Sequence, residues 1–254
     1  VREEFLAVAA HELKTPLTSL RGFAELGSRA LDQAGTIEPA FARRTFDAIE
    51  RQSARLTALV ANLLEVARGS TDRGTISPRT ANLVELVRHV VEAAQVRADR
   101  HAIVLEAPAV VELVLDPLRI EQVVTNLVDN AVKYSPMDSP IEVSVIPYAA
   151  QVDVVVRDHG MGVPRELQHR IFDRFFQAHV GEQSSGMGLG LYISQEIVRR
   201  HGGTIRAELP EDGGTRMVVS LPLREETGVR PVLTKEGSQE SGVGSAGAES
   251  RVGA

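Results

Sequence analysis

Two apolar seams in the first seventy residues constrain the fold of this chain more than any other feature. Along each seam the positions follow one another at alternating spacings of four and three, which is the pattern of helices packed in a bundle. The first seam consists of Leu6, Ala10, Leu13, Leu17, Leu20, Ala24, Gly27 and Leu31. The second consists of Ala42, Phe46, Ile49, Ser53, Leu56, Val60, Leu63 and Ala67. The sequence therefore predicts two long amphipathic helices.

The connection between these helices, Asp32–Pro39, contains turn and helix-restart signals. Residues 1–69 are therefore predicted to form a helical hairpin. A single hairpin would leave most of its apolar stripe in contact with water, so two copies are expected to pair into a four-helix bundle. A long helix pair bridging solvent would not need two such seams. We predict a homodimer.

After a predicted linker at 70–75, the periodicity becomes mixed, and residues 76–224 are predicted to form a second domain. Helices are predicted at 83–98, at 117–133 after the Asp116-Pro117 start signal, and at 189–201. Strands are predicted at 102–106, 110–115, 141–146, 152–157 and 217–221. The predicted fold class is α+β, a helical hairpin followed by an α/β sandwich. Residues 225–254, rich in Gly, Ser and Glu, are predicted to be a disordered tail.

Composition excludes several classes of function. The chain has no Cys, which rules out disulfides, thiolate metal sites and a thiol nucleophile. A net charge of −6 argues against non-specific nucleic-acid binding, and we predict no nucleic-acid partner. No run has the apolar length of a membrane span. Because the chain starts in helical pattern without Met, we expect a cytoplasmic piece that reaches a membrane only through segments outside it.

The segment from His11 to Pro16 has a composition that a bundle helix does not need. His11 falls one position after a seam residue, on the outer side of the stripe, and Thr15 follows one helical turn later on the same surface. An unperturbed imidazole has a pKa of about 6.5, so at neutral pH one ring nitrogen keeps a lone pair. Such a nitrogen can act as a nucleophile toward phosphorus.

Four blocks further along the chain complete a known pattern. They are Asn126–Tyr134 (NLVDNAVKY), Asp158–Gly162 (DHGMG), Phe172–Phe175 (FDRF) and Gly186–Leu191 (GMGLGL). Together with the His11 segment, in this order and spacing, they resemble the H, N, G1, F and G2 boxes of two-component sensor histidine kinases. The resemblance covers roughly residues 1–224. It implies that the second domain has the GHKL (Bergerat-type) ATP-binding fold.

The resemblance implies a function for the first domain. His11 would be phosphorylated from Mg-ATP and would pass the phosphoryl group to an aspartate of a response-regulator receiver domain. Glu12 would orient His11 and accept its proton. Thr15 would be linked to dephosphorylation of the regulator. Pro16 frees the Glu12 carbonyl and is expected to bend the helix locally.

The helix with two Asn residues one turn apart is predicted to hold the triphosphate. Asn130 offers an oxygen ligand to Mg²⁺, which retains water and phosphate oxygens as its other ligands. Asn126, a neutral amide, cannot serve as a general base for water, so it favours phosphoryl transfer over hydrolysis. Lys133 is a point charge within reach of phosphates. The resemblance places Tyr134 in the adenine pocket.

A carboxylate and a set of glycines complete the predicted ATP site. Asp158 is expected to accept a hydrogen bond from the adenine amino group, as the resemblance implies, and Gly160 and Gly162 allow close backbone approach. The glycines of the last block, with the start of the helix that follows, form an anion site for phosphate. Further residues predicted to contact nucleotide are Phe172, Gly186, Gly188, Leu189, Gly190 and Leu191.

The polar segment 177–185 is predicted to form a lid over the nucleotide, with Phe172 and Phe175 anchoring its base. Many relatives carry Arg or Lys at the position of Gln177 or within the lid, and this chain does not. Lys133 and Arg174 are then the cations predicted to face the phosphates.

Two alternative functions remain open from the sequence. The first is a dimeric ATP-binding scaffold without catalysis, which Gln177 and the uncharged lid would favour. The second is a GHKL ATPase that hydrolyses ATP with water, which Asn126 disfavours. An enzyme dominated by phosphatase activity is a variant of the kinase hypothesis that Thr15 keeps open.

Overall fold

A computed structural model describes residues 2–69, 76–98, 100–178 and 187–223. The predicted linker at 70–75, the predicted tail at 225–254, Gly186 and most of the predicted lid lie outside the described residues. Within them, the order of elements is a helical hairpin followed by a mixed α/β unit. This is the predicted fold class.

The hairpin consists of α1 (Arg2–Ala34) and α2 (Pro39–Gly69). Helix α1 continues through Pro16 without interruption. It ends at Gly35, which has a φ of 67° and donates its N–H to the carbonyl of Leu31 at 2.8 Å. A glycine in this conformation terminates a helix without the steric cost that other residues would incur. After the turn, α2 begins at Pro39, where the sequence predicts the start of a second helix.

Much of the predicted apolar seam faces outward. Leu17 is 57% exposed, Phe46 67% and Val60 45%. Different residues are buried in the hairpin, among them Pro16 on α1, and Thr45 and Ala48 on α2. Thr45 lies beside Gly27, where an added Cβ would be 3.7 Å from the Thr45 methyl group, an ordinary contact distance. Half of the seam positions whose burial is described are exposed and the other half are only partly buried, because two helices alone cannot bury both stripes.

The described residues of the α/β unit form three helices and two sheets. The helices are α3 (Leu83–Arg97), α4 (Pro117–Tyr134) and α5 (Gly190–Arg200). The strands are β1 (Arg79–Asn82), β2 (Ile103–Glu106), β3 (Glu112–Leu115), β4 (Ile141–Pro147), β5 (Gln151–Asp158), β6 (Thr204–Glu208) and β7 (Thr215–Pro222). A short 3₁₀ turn covers Arg165–Leu167.

The main sheet has the strand order β2-β4-β5-β7-β6, and β1 pairs with β3 in a separate two-stranded sheet. Among the described strands of this sheet, β2 and β4 are parallel and the other neighbouring pairs are antiparallel. Alternate residues of the central strands, such as Val154 on β5 and Val219 on β7, are buried in the hydrophobic core together with side chains of the helices. The fold places the C-terminal end of β5 next to α4 and the start of β7.

The strands β1 and β6 have no counterpart in the sequence prediction, and β3 is shorter than the predicted strand at 110–115. The four residues of β1 lack the alternating apolar pattern of a strand. The five residues of β6 do alternate, with Ile205 and Ala207 buried, but two apolar residues in so short a stretch give a weak signal. Pairing with β3, rather than local preference, determines β1. Among the helices of the described ranges, none is both long and apolar enough to cross a membrane.

Candidate nucleotide site

A cavity of about 280 Å³ opens where α4, the end of β5 and the start of α5 meet. Ten of the predicted nucleotide residues line it: Asn126, Asn130, Lys133, Tyr134, Asp158, Gly162, Gly188, Leu189, Gly190 and Leu191. These residues come from three separate blocks of sequence. The fold thus brings the predicted blocks together around one concave surface, which is the usual form of a small-molecule site.

The N-terminus of α4 is held by contacts from two other parts of the chain. Asp116 caps the helix by accepting the N–H of Arg119 at 3.3 Å, and it also accepts the N–H of Ser77 at 2.9 Å. Its own N–H donates to Nε2 of the buried His201, at the end of α5, at 3.0 Å. The ring of His201 lies 2.8 Å from the carbonyl of Ile197 through Nδ1. These contacts fix the axis of the helix that carries the two Asn residues.

Asn126 is held against α5. Its Nδ2 donates to the hydroxyl of Ser194, which is buried, at 3.0 Å. Its Oδ1 lies so close to Gly190 that a Cβ there would be 2.2 Å away. The side-chain amide of Asn126 is therefore locked in one orientation by the first turns of α5.

Asn130 and Lys133 lie on the cavity wall about one and two turns after Asn126 on α4, and both are half-buried. Lys133 Nζ donates to the hydroxyl of Tyr134 at 2.9 Å and lies 4.5 Å from the centre of its ring. Among the described residues there is no group of three or more His, Asp or Glu side chains that could hold a metal. One amide oxygen, from Asn130, fits an ion such as Mg²⁺ that takes most of its ligands from phosphate and water.

Asp158 sits at the end of β5 with its carboxylate on the cavity wall. Its Oδ1 accepts the N–H of Gly160 at 2.8 Å and that of Thr215 at 3.2 Å. Burial raises the pKa of Asp158 above the ordinary aspartate value, and these hydrogen bonds and the charge of Arg157 act in the opposite direction. A Cβ at Gly160 would lie 2.3 Å from the carbonyl of Tyr134, so only glycine fits there.

The loop before α5 is tied to the predicted base of the lid. Phe175 donates its N–H to the carbonyl of Gly188 at 3.0 Å. Gly188 has a φ of 62°, and a Cβ there would lie 2.5 Å from the carbonyl of Phe176. The loop leads into α5, which begins at Gly190, so the N-terminus of this helix borders the cavity. The free N–H groups of a helix N-terminus favour an anion.

Several positions differ from the sequence-based assignment. Phe172 packs against the hydrophobic core and is absent from the cavity lining, whereas Phe176 and Gln177 line it. Arg174 is exposed and lies over the ring of Tyr192 on α5, 4.5 Å from its centre. Thr215 lines the cavity and was not predicted. Its only signal in the sequence was its position after two glycines.

The helical hairpin reaches the cavity. Leu59 of α2 is one of the lining residues, and α2 contacts α5. Leu13 packs against the hydrophobic cluster that Leu59 joins. His11 lies on α1 two positions before Leu13, but its side chain lies outside the part of the chain that the structure describes. Glu12 is half-buried and Thr15 is exposed.

Fold and site together define an α/β sandwich with a cavity suited to an adenine nucleotide, preceded by a helical hairpin. Two family models match the chain. The His Kinase A (phospho-acceptor) domain matches residues 1–72, and the histidine kinase-, DNA gyrase B- and HSP90-like ATPase matches residues 115–225.

Relatives and solved structures agree with these matches. The chain is 34% identical over 230 residues to the signal transduction histidine-protein kinase AfsQ2 of Streptomyces coelicolor, covering 86% of this chain and 41% of the relative. The catalytic domain of the histidine kinase ThkA is 30% identical with a TM-score of 0.52, covering 58% of this chain and 96% of that one. ThkA in complex with the response regulator protein TrrA is 27% identical with a TM-score of 0.65, covering 88% of this chain and 62% of that one. The chain belongs to the sensor histidine kinases of two-component systems.

Proposed function

We propose that this chain is a kinase core that transfers the γ-phosphoryl group of Mg-ATP to His11. The observation that carries the proposal is the convergence of Asn130, Asp158 and Gly188 on one cavity that Leu59 of the hairpin also lines. The donor site and the helix pair that bears the acceptor are therefore contiguous. This chain spans less than half the length of its relative AfsQ2. The activity of the whole protein is therefore stated as a proposal.

The transfer requires positioning and charge stabilisation more than covalent help from the ATP-binding unit. A ring nitrogen of His11 attacks the γ-phosphorus, the bond to the bridging oxygen breaks, and ADP leaves. The second ring nitrogen loses its proton, for which Glu12 is the proposed acceptor. Mg²⁺, when bound, neutralises charge on the phosphates, and Asn130 is the proposed protein ligand.

The remaining residues of the cavity bind and orient ATP in this proposal. Asp158 accepts a hydrogen bond from the adenine amino group, and Tyr134 lines the base pocket. Lys133 and the N-terminus of α5 face the phosphates. Asn126 contributes a neutral amide where a carboxylate would activate water, so transfer to His11 is favoured over hydrolysis.

The proposed recipient of the phosphoryl group is an aspartate on a response-regulator receiver domain. The solved complex of ThkA with the response regulator TrrA supports a partner of this class. Thr15, exposed one turn after His11, is the proposed participant in dephosphorylation of that partner. We further propose a homodimer through the exposed seam of the hairpin, and a cytoplasmic location, where ATP and such a partner are available. The proposed domains are 1–69 and 76–224.

The test is incubation with radiolabelled Mg-ATP of the wild type, His11→Gln and a control, His89→Gln. His89 is an exposed histidine on α3. We expect acid-labile, alkali-stable label on the wild type and on the control, and none on His11→Gln, which still binds nucleotide. Equal labelling of His11→Gln would refute the assignment of the acceptor.

Two further outcomes would favour the alternatives. Steady release of phosphate that does not depend on His11 would indicate a water-using ATPase. Nucleotide binding without any label or phosphate release would indicate a non-catalytic scaffold.

A further inference from the structure

We infer that Arg157 is a positioning residue for the nucleotide base, because it clamps the turn between β6 and β7 onto the end of β5 that carries Asp158. The inference rests on the proposed function, because it identifies the residue that holds Asp158, the proposed hydrogen-bond acceptor for adenine, in place. It concerns a residue that does not line the cavity itself.

The guanidinium of Arg157 makes three hydrogen bonds at the back of the site. Nη1 donates to the carbonyl of Asp158. Nη2 donates to the carbonyl of Gly213 at 2.7 Å and to the carboxylate of Asp212 at 3.0 Å. Successive side chains of a strand point to opposite faces, so Arg157 lies behind the sheet while Asp158 faces the cavity. The Arg157 side chain is only 10% exposed.

The clamped turn is in close contact with the segment that starts at Asp158. Gly213 and Gly214 have φ values of 90° and 71°. A Cβ on Gly214 would lie 2.0 Å from the carbonyl of Asp158. The next residue, Thr215, donates its N–H to the Asp158 carboxylate. The position of the turn therefore determines where Thr215 meets Asp158.

A purely stabilising ion pair would be built differently. The carboxylate partner, Asp212, is 69% exposed, and a pair with one solvated partner contributes little to stability. The other two acceptors are main-chain carbonyls, one of them belonging to Asp158 itself. The planar guanidinium of arginine can donate to these three oxygens at once, and the single ammonium group of a lysine could not reproduce this arrangement.

The neighbouring strand β7 offers a matched control residue. Arg216 on β7 is the Cα partner of Arg157 on the same face, and it pairs with Glu208. It carries the same charge on the same sheet face, but the contacts described for it lead away from Asp158. Replacing it removes a positive charge from the same face and the ion pair with Glu208 at the base of the turn, while the three hydrogen bonds of Arg157 stay in place.

The experiment measures KM and kcat for autophosphorylation, with the Kd of ATP and GTP, in Arg157→Gln, Arg157→Lys and Arg216→Gln. For both Arg157 variants we expect KM and Kd for ATP to rise about tenfold, kcat at saturating ATP to stay within about twofold, and the preference for ATP over GTP to narrow. Arg216→Gln should match the wild type. Because Arg157→Lys retains the charge and most of the volume, it tests the inference if Arg157→Gln does not fold.

Unchanged KM and nucleotide preference in both Arg157 variants would overturn the inference, as would a loss of thermal stability alone. Asp158→Asn separates this from a failure of the proposed function. If Asp158→Asn lowers ATP affinity and the Arg157 variants do not, only the inference fails. If the wild type binds no ATP, or Asp158→Asn binds it equally well, the proposed function fails as well.

Discussion

At the scale of single residues, Asp158 links the pH dependence of nucleotide binding to burial. Burial raises its pKa, so over a range of pH above the ordinary aspartate value the folded protein holds a proton that the unfolded chain has already lost. In this range, the contribution of Asp158 to the free energy of unfolding falls as pH rises. Protonation removes the anionic acceptor proposed for adenine. Acidification should thus strengthen the contribution of Asp158 to stability while weakening nucleotide binding.

We therefore expect the affinity for ADP to fall on acidification at a pH above the ordinary range of an aspartate. Titration calorimetry across pH would measure this fall, and Asp158→Asn should bind ADP weakly at every pH. Thermal unfolding without nucleotide provides the second measurement, since the stability of the wild type relative to Asp158→Asn should rise as pH falls through the raised pKa of Asp158. An ADP affinity that does not change on acidification would contradict the role given to this carboxylate.

Ser194 and Gly190 together orient the side chain of Asn126. Replacing either residue is therefore expected to lower the kinase activity, by different amounts. Ser194→Val leaves Nδ2 of Asn126 without its acceptor, which costs about 1–3 kcal/mol when a polar group is left unsatisfied. Gly190→Ala places a Cβ 2.2 Å from Oδ1 of Asn126 and forces the amide to move. We expect Ser194→Val to lower kcat/KM about tenfold, and Gly190→Ala to lower it further. Single-turnover phosphorylation of His11 is the measurement.

The control for the glycine substitution is Gly22→Ala on α1, where no atom lies within 4 Å of the added Cβ. Alanine in a helix is favoured over glycine by roughly 0.5–1 kcal/mol, so this variant should be slightly more stable and fully active. Activity of Gly190→Ala equal to that of Gly22→Ala would disprove the proposed locking of Asn126.

At the scale of elements, α4 and α5 are joined by a buried contact between the N–H of Asp116 and the imidazole of His201. Replacing His201 by Leu leaves this buried N–H unpaired, and we expect a loss of about 1–3 kcal/mol in the free energy of unfolding. Denaturant titration would show a lower midpoint with an unchanged slope. The exposed His89→Leu is the matched substitution and should stay within about 0.5 kcal/mol of the wild type. Equal midpoints for both variants would refute the contact.

The elements whose signals are local could be predicted from the sequence, and those fixed by distant contacts could not. Asp116 and Pro117 predicted the start of α4 because a helix cap depends on adjacent residues. The strand β1 lacks an apolar pattern and forms through pairing with β3, whereas β6 alternates over only five residues and was missed because it is short. The contact of Thr215 with Asp158 joins residues 57 positions apart, and no spacing rule reveals it.

The seams of the hairpin illustrate the same limit at the level of a whole face. Alternating spacings of four and three predicted two helices correctly, since that periodicity follows from helix geometry alone. These spacings do not reveal which partner covers the apolar stripe. The structure leaves Leu17, Phe46 and Val60 uncovered. A stripe this apolar along both helices is the kind of exposed patch that marks an interface.

At the scale of the whole molecule, the uncovered seam predicts that the active form is a dimer. Phe46→Glu puts a charge in the middle of the stripe, and burying an unpaired carboxylate in an interface costs several kcal/mol. We expect this variant to be monomeric at concentrations where the wild type is dimeric, with the α/β unit still folded and still binding ATP. Sedimentation velocity would give the two masses. Leu118→Glu is the control, because Leu118 is 74% exposed and belongs to α4, not to the seam of the hairpin. The Leu118→Glu variant should remain dimeric. If Phe46→Glu is dimeric as well, or if the wild type is monomeric at all concentrations, the seam has a partner other than a second copy of this chain.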